Sequence, residues 1–192
     1  MTEKRIRRIR SVLRHRQPDL TIVMENIHDP HNVSAMLRSA DAVGVQEVHL
    51  VYTVEQFPKL GKKSSASAAK WVDRKKYTSI HKCYEALRAK GFIICATRLS
   101  NDARSMYNLD LTKRIALVFG NEHRGVSDEA ANLADIIFQI PIMGMIQSLN
   151  VSVACAVTLY EAFRQRFTRD CYRRRRLSAR DFDRLFDEWT AG

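Results

Sequence analysis

The sequence predicts an α/β protein with a mostly parallel sheet and helices on both faces. Three observations carry this. Short apolar runs rich in β-branched residues recur along the chain. Stretches with helical spacing and capping residues lie between them. Most of the runs end in a polar loop bearing glycine or proline, where open parallel sheets place their ligands.

Residues 20–24, Leu-Thr-Ile-Val-Met, read as the first strand. Asn32 is expected to cap a helix that runs to about Val43 and stops at Gly44. Residues 47–51 read as a second strand, and 53–70 as a loop rich in Lys, Ser and Ala. A helix over 81–90 is stopped by Gly91, and residues 92–96 form the third strand. Residues 115–119 form the fourth, closed by Gly120. Ser127 opens a helix with two acids in its first turn, which suits the helix dipole. Residues 136–140 form the fifth strand, ended by Pro141, and a long helix follows from about Leu149 to Phe167.

Charge divides the chain into three parts. The 192 residues carry a net charge of +11 from 32 basic and 21 acidic residues. Residues 1–17 hold +6 and residues 164–192 hold +4, whereas 18–163 hold only +1. One near-neutral domain over 18–163 therefore carries a basic N-terminal extension and a basic C-terminal extension, both expected to be helical. Such arms attract polyanions, with nucleic acid the first choice and an anionic membrane surface or simple solubility as alternatives. No apolar stretch reaches the about 18 residues of a membrane span, and no signal-peptide apolar region follows the basic start. Cys83, Cys95, Cys155 and Cys171 form no C-x-x-C pair, so they read as thiols in a reducing compartment, which implies a cytoplasmic protein.

The chemistry-bearing stretches follow the strands: residues 25–32, 97–98, 120–125 and 141–152. No dinucleotide fingerprint, P-loop or nucleophile elbow is present. His28, Asp29 and His31 cluster around Pro30, which reads as a turn, and no metal is expected.

Three blocks in these regions carry more information. The first is residues 32–44, Asn-Val-Ser-Ala-Met-Leu-Arg-Ser-Ala-Asp-Ala-Val-Gly. The second is Leu117 to Glu122, completed by Gly125. The third is Ile140-Pro141-Ile142-Met143-Gly144 with Ser148-Leu149-Asn150-Val151-Ser152. In order and spacing they resemble the SPOUT superfamily of RNA methyltransferases, and its TrmH-type tRNA guanosine 2′-O-methyltransferases in particular. The resemblance implies a C-terminal trefoil knot around the second and third blocks. It implies S-adenosylmethionine bound there, and a homodimer whose active site draws on both subunits. Thr97, Gly120, Ile140, Met143 and Leu149 are then expected to line the cofactor pocket.

The acceptor so implied is a ribose 2′-hydroxyl, a weak nucleophile that needs help as its proton leaves. The resemblance gives the central role to Arg38. Arginine stays protonated in nearly all proteins, so Arg38 is expected to stabilise charge or clamp a phosphate. A surface salt bridge with Asp41 or Glu47 is the plain alternative. Asn32 and Glu122 are expected to orient Arg38 or the substrate, with Ser148 and Asn150 supplying hydrogen bonds. Local roles for these residues also exist, Asn32 and Ser148 as helix caps and Glu122 as a solvated loop acid.

Arg5, Arg7, Arg8 and Arg10, with Arg173, Arg174, Arg175 and Arg176, are expected to grip tRNA phosphates. Lys62 and Lys63 are expected to join them from the loop before Trp71. That loop lacks the Gly-Ser pair usual in the tRNA branch. The reaction so implied is 2′-O-methylation of guanosine 18 in the D-loop of tRNA. Methylation of ribosomal RNA and non-catalytic RNA binding are the alternatives, and about 17 residues before the first strand favour tRNA. On this reading, deleting residues 1–17 weakens tRNA binding and spares cofactor affinity.

Overall fold

The computed structural model describes residues 1–57 and 68–191. Its elements are α1 (Glu3–Arg14), β1 (Leu20–Glu25), α2 (Pro30–Ala42), β2 (Glu47–Val51) and a short α3 (Ala68–Trp71). They continue as β3 (Asp73–Tyr77), α4 (Ile80–Ala89), β4 (Ile93–Thr97), β5 (Arg104–Ser105), β6 (Ile115–Phe119) and α5 (Asp128–Asn132). The last are β7 (Ile136–Gln139), α6 (Val151–Thr168) and α7 (Ala179–Ala191). The seven strands form one sheet in the order β3-β2-β1-β6-β4-β7-β5, and every neighbouring pair is parallel.

Side chains alternate across the strands, so both faces must be covered. Ile22, Met24, Leu117 and Phe119 face α2 and α6 and meet Met36, Leu37 and Leu159 in one core. Val23, Ala116 and Val118 point the other way and pack with Ile80, Tyr84 and Leu87 of α4 and Ala130 of α5. The five expected strands form at or within one residue of their expected bounds.

Two strands escape the sequence pattern. β3 reads Asp-Arg-Lys-Lys-Tyr, with three exposed residues, and among the described residues pairs only with β2. Edge strands need backbone pairing on one side and are often lysine-rich, so hydropathy does not reveal them. β5 has two residues, too few for a pattern.

Helix caps also move. Pro30 is the first residue of α2, and Asp29 caps it by accepting from the His31 amide at 2.8 Å. Asn32 therefore lies inside the first turn with its side chain free for another partner. Asn150 caps α6, accepting from the Ser152 amide at 2.9 Å. Gly44 and Gly91 stop their helices in the left-handed region, at φ +84° and +77°. Lys62 and Lys63 lie outside the described residues.

The two extensions fold together. Ile9 and Leu13 of α1 pack with Leu177 and with Leu185 and Trp189 of α7. The Trp189 ring meets Trp71 edge-on at 4.9 Å between centroids. Two arginines beneath them are fully buried. Arg16 donates to Asp41 at 2.7 Å and to the Val45 and Trp71 carbonyls at 2.8 Å. Arg166 donates to Asp19 at 2.7 Å, to Gln17 at 3.1 Å and to the Leu111, Asp19 and Lys113 carbonyls. The other carboxylate oxygen of Asp19 accepts from Arg176.

Deleting residues 1–17 would thus remove Leu13, Arg16 and Gln17 from the interior. Such a deletion tests folding as well as RNA binding, so surface substitutions are the cleaner probe. Breaking the buried pair has a definite expected cost. Arg166→Ala leaves Asp19 without its main cation and lowers unfolding free energy by about 3–5 kcal/mol, read by urea denaturation.

Candidate active site

The carboxyl ends of β4, β6 and β7 open onto a cleft of about 780 Å³. Phe119, Phe138, Ile140 and Ile142 give it an apolar wall, and Glu122, Ser148 and Asn150 a polar one. Thr97, Gly120 and Leu149 also line it. Met143 does not, and is 94% exposed on the loop beyond. The Thr97 hydroxyl donates to the Val118 carbonyl at 3.0 Å, which ties β4 to β6 at the cleft floor.

The 120–125 turn is tight. A Cβ added at Gly120 would lie 2.2 Å from the backbone of Gly125 and Val126, so only glycine fits. Gly125 turns the chain back at φ +68°, with its amide donating to the Asn121 carbonyl at 2.8 Å.

Glu122 organises the polar wall. Its carboxylate accepts from the His28 amide at 2.8 Å, the Asp29 amide at 3.1 Å and the Asn32 side chain at 2.8 Å. Burial pushes this carboxyl up, but the Asn32 and backbone donors outweigh it, and the net shift is downward. Asn32 in turn accepts from Asn150 Nδ2 at 3.2 Å. One hydrogen-bonded chain thus joins the loop after β1, the loop after β6 and the start of α6. The sequence-selected Asn32, Glu122 and Asn150 meet directly, and Ser148 stands exposed on the same cleft rim.

Two further asparagines serve this frame and were not singled out from the sequence. Asn26 adopts a left-handed φ of 49°, and its side-chain oxygen accepts from the Thr53 and Val54 amides at 2.9 and 3.2 Å. Its carbonyl accepts from Asn121 Nδ2 at 2.7 Å, while Asn121 Oδ1 accepts from the His123 amide at 2.9 Å. Asn26 carries one sequence signal, an asparagine directly after a strand, since asparagine tolerates the left-handed region.

Arg38 is exposed on α2, and no carboxylate among the described residues pairs with it. The two carboxylates of the salt-bridge alternative are engaged elsewhere. Asp41 takes buried Arg16 at 2.7 Å. Glu47 takes Lys75 at 2.9 Å and Lys90 at 2.8 Å. Among the candidate RNA contacts, Arg7 pairs with Glu3 and Arg173 with Asp170 at the surface. Arg10 and Arg175 lie over the rings of Phe186 and Phe182. Arg8 and Arg174 are exposed, and Arg176 turns inward to Asp19.

A seven-stranded parallel sheet with this cleft and these loops is the architecture of the SpoU methylases. The chain belongs to the SpoU rRNA Methylase family, whose model matches residues 19–160. It is 47% identical over 188 residues to the tRNA (guanosine(18)-2′-O)-methyltransferase of Thermus thermophilus, covering 98% of this chain and 96% of that one. The enzyme of the same name from Escherichia coli is 44% identical over 174 residues, covering 91% and 76%. Among solved structures, the A. aeolicus TrmH/SpoU tRNA modifying enzyme superposes with a TM-score of 0.92 at 38% identity, covering 98% and 96%. The SpoU methyltransferase AviRb of Streptomyces viridochromogenes, crystallised with AdoMet, superposes at 0.69 with 28% identity, covering 80% and 62%.

The Glu122 frame makes its own prediction. Glu122→Gln puts an NH₂ group among three donors and removes the charge. Stability should fall by about 1–2 kcal/mol. Because the folded carboxyl titrates below its ordinary range, its contribution is present above that range and is lost as pH falls through it. Thermal unfolding between pH 7 and pH 3 checks this: the wild type should lose stability on acidification and the variant should show less of that loss.

Proposed function

We propose that this chain transfers a methyl group from S-adenosylmethionine to the ribose 2′-hydroxyl of guanosine 18 in the D-loop of tRNA. The observation that carries this reading is the hydrogen-bonded chain by which Glu122 and Asn150, on the wall of the cleft, hold Asn32 of α2, the helix on which Arg38 stands free of any described carboxylate. Relatives aligned over nearly the full length, whose names give that reaction, support the choice of acceptor.

The cleft suits the cofactor in two respects. Its apolar wall fits an adenine, and Glu122, held ionised by its donors, offers a negative group to a sulfonium cation. Gly120, Ile140 and Leu149 bring backbone polar groups to the same place, with Thr97 at the floor and Met143 on the adjoining loop. Bound there, S-adenosylmethionine supplies an electrophilic methyl group. The protein must then hold the 2′-oxygen in line and stabilise the charge that grows on it as its proton leaves. Arg38 is the group for that task, as a fixed cation facing the alkoxide or its neighbouring phosphate. Asn32 and Asn150 position the ribose, and Ser148 donates at the rim. The trefoil knot, through the 120–125 and 140–150 segments, belongs to the same reading.

Arg38→Ala should lower methyl transfer by at least about a hundredfold, with unchanged thermal unfolding and unchanged S-adenosylmethionine affinity by calorimetry. Transfer of tritiated methyl to total tRNA and to ribosomal RNA, followed by nucleoside mapping, tests the acceptor. Labelling confined to ribosomal RNA, or full activity of the variant, overturns the reading.

The active form is a homodimer. Val153, Val157 and Tyr160 leave 46%, 37% and 54% of their surfaces open along α6, and Met145 and Ile146 are exposed on the loop before it. A contiguous apolar patch of this kind calls for a partner, and a second copy would bring its own rim residues to this cleft. Val157→Asp should give a monomer in light scattering and little activity. The arginines of α1 and of the 173–176 segment supply phosphate contacts and salt dependence. On the same reading the protein works in the cytoplasm, which a tRNA substrate supports, and the reaction calls for no metal.

A further inference from the structure

Two adjoining hollows lie between α1 and the segment that follows α6. One, of about 610 Å³, is walled by Phe163, Phe167 and Tyr172, with Val43 and Gly44 also lining it and Asp41 and Asp170 as its two acids. The other, of about 660 Å³, is lined by Arg7, Arg10, Arg14, Arg173 and Arg175, and no acid lines it. Ser11, His15, Tyr172 and Arg173 border both, so the hollows are continuous.

We propose that this seam is a second RNA site that takes one unstacked nucleotide, its base against Phe167 and its flanking phosphates along the arginines. The proposal rests on the reading that RNA is the substrate.

The chemistry is specific. Five arginines lining one hollow, two of them in surface pairs with Glu3 and Asp170, suit a polyanion of any kind. Aromatic rings beside them narrow the choice to nucleic acid, because every base has a face that can stack. A duplex keeps its bases covered, so the occupant is a single-stranded or extruded residue. Phe163 is half-buried against the core, but Phe167 is 63% exposed, with its ring 5.6 Å from Phe163. Tyr172 completes the row at 5.2 Å from Phe163, its hydroxyl fixed by donation to the Val43 carbonyl at 2.8 Å. The two surface pairs nearby, Arg7 with Glu3 and Arg173 with Asp170, are weak enough to exchange for phosphate. Val151 lines the cofactor cleft and Phe167 lines the seam, about 24 Å further along the same helix. The seam therefore grips RNA at a distance from the reacting ribose.

Fluorescence anisotropy tests this with the full chain, a labelled single-stranded oligoribonucleotide and an abasic strand of equal length and charge. The wild type should bind the base-bearing strand more tightly. Phe167→Ala should lose about five- to tenfold for that strand and nothing for the abasic one. Phe167→Trp should keep the preference. Arg14→Gln should weaken both strands and reduce the salt slope by about one. Equal affinity of the wild type for the two strands overturns the proposal. Loss of self-association by Phe167→Ala in light scattering also overturns it, since Phe167 would then belong to an interface between copies. Methyl transfer measured in parallel separates the two readings: activity without base preference removes the seam and leaves the proposed reaction standing.

Discussion

The ionised carboxylate of Glu122 is the interaction on which the site depends. Three donors from one turn of chain, residues 28, 29 and 32, converge on it from some 90 positions away in sequence. β1 and β6 are neighbours in the sheet, and Glu122 extends that pairing beyond the strand ends. It fixes the entry to α2, and with it the base of the helix that presents Arg38. Charge is essential to this arrangement. A neutral acid would add a proton where three donors already converge, whereas the anion satisfies all of them.

Asn32 passes the constraint onward. It donates to Glu122 and accepts from Asn150, which also caps α6. One amide therefore couples the start of α2 to two loops of the cleft. This explains why a residue placed like a helix cap is spared that task. Asp29 and Pro30 start the helix, and Asn32 bridges the loops.

The net charge of +11 also takes on more structure than its distribution along the chain suggests. Arg16 and Arg166 are wholly inside, where they donate to Asp41, Asp19 and backbone carbonyls, and Arg176 supports the same cluster. These arginines staple the extensions to the sheet. The cations left outward on α1 and the 173–175 segment form one basic groove. A helix with apolar Ile9 and Leu13 on one side and arginines on the other performs both tasks at once.

Sequence alone determined the sheet class, five of the strands and the polar loops that follow them, because apolar runs and glycine stops are local signals. It also selected Asn32, Glu122 and Asn150, through motifs whose spacing survives without coordinates. Tertiary structure decided what periodicity cannot express. The lysine-rich β3 became a strand because β2 offered it a backbone edge. Asn26 and Asn121 became the frame of the site because two loops remote in sequence are adjacent in space. Arg38 stayed clear of a surface salt bridge because Asp41 and Glu47 were claimed by Arg16 and by Lys75 and Lys90. Which of several nearby charges pair depends on burial and on distance through space, and a sequence records neither.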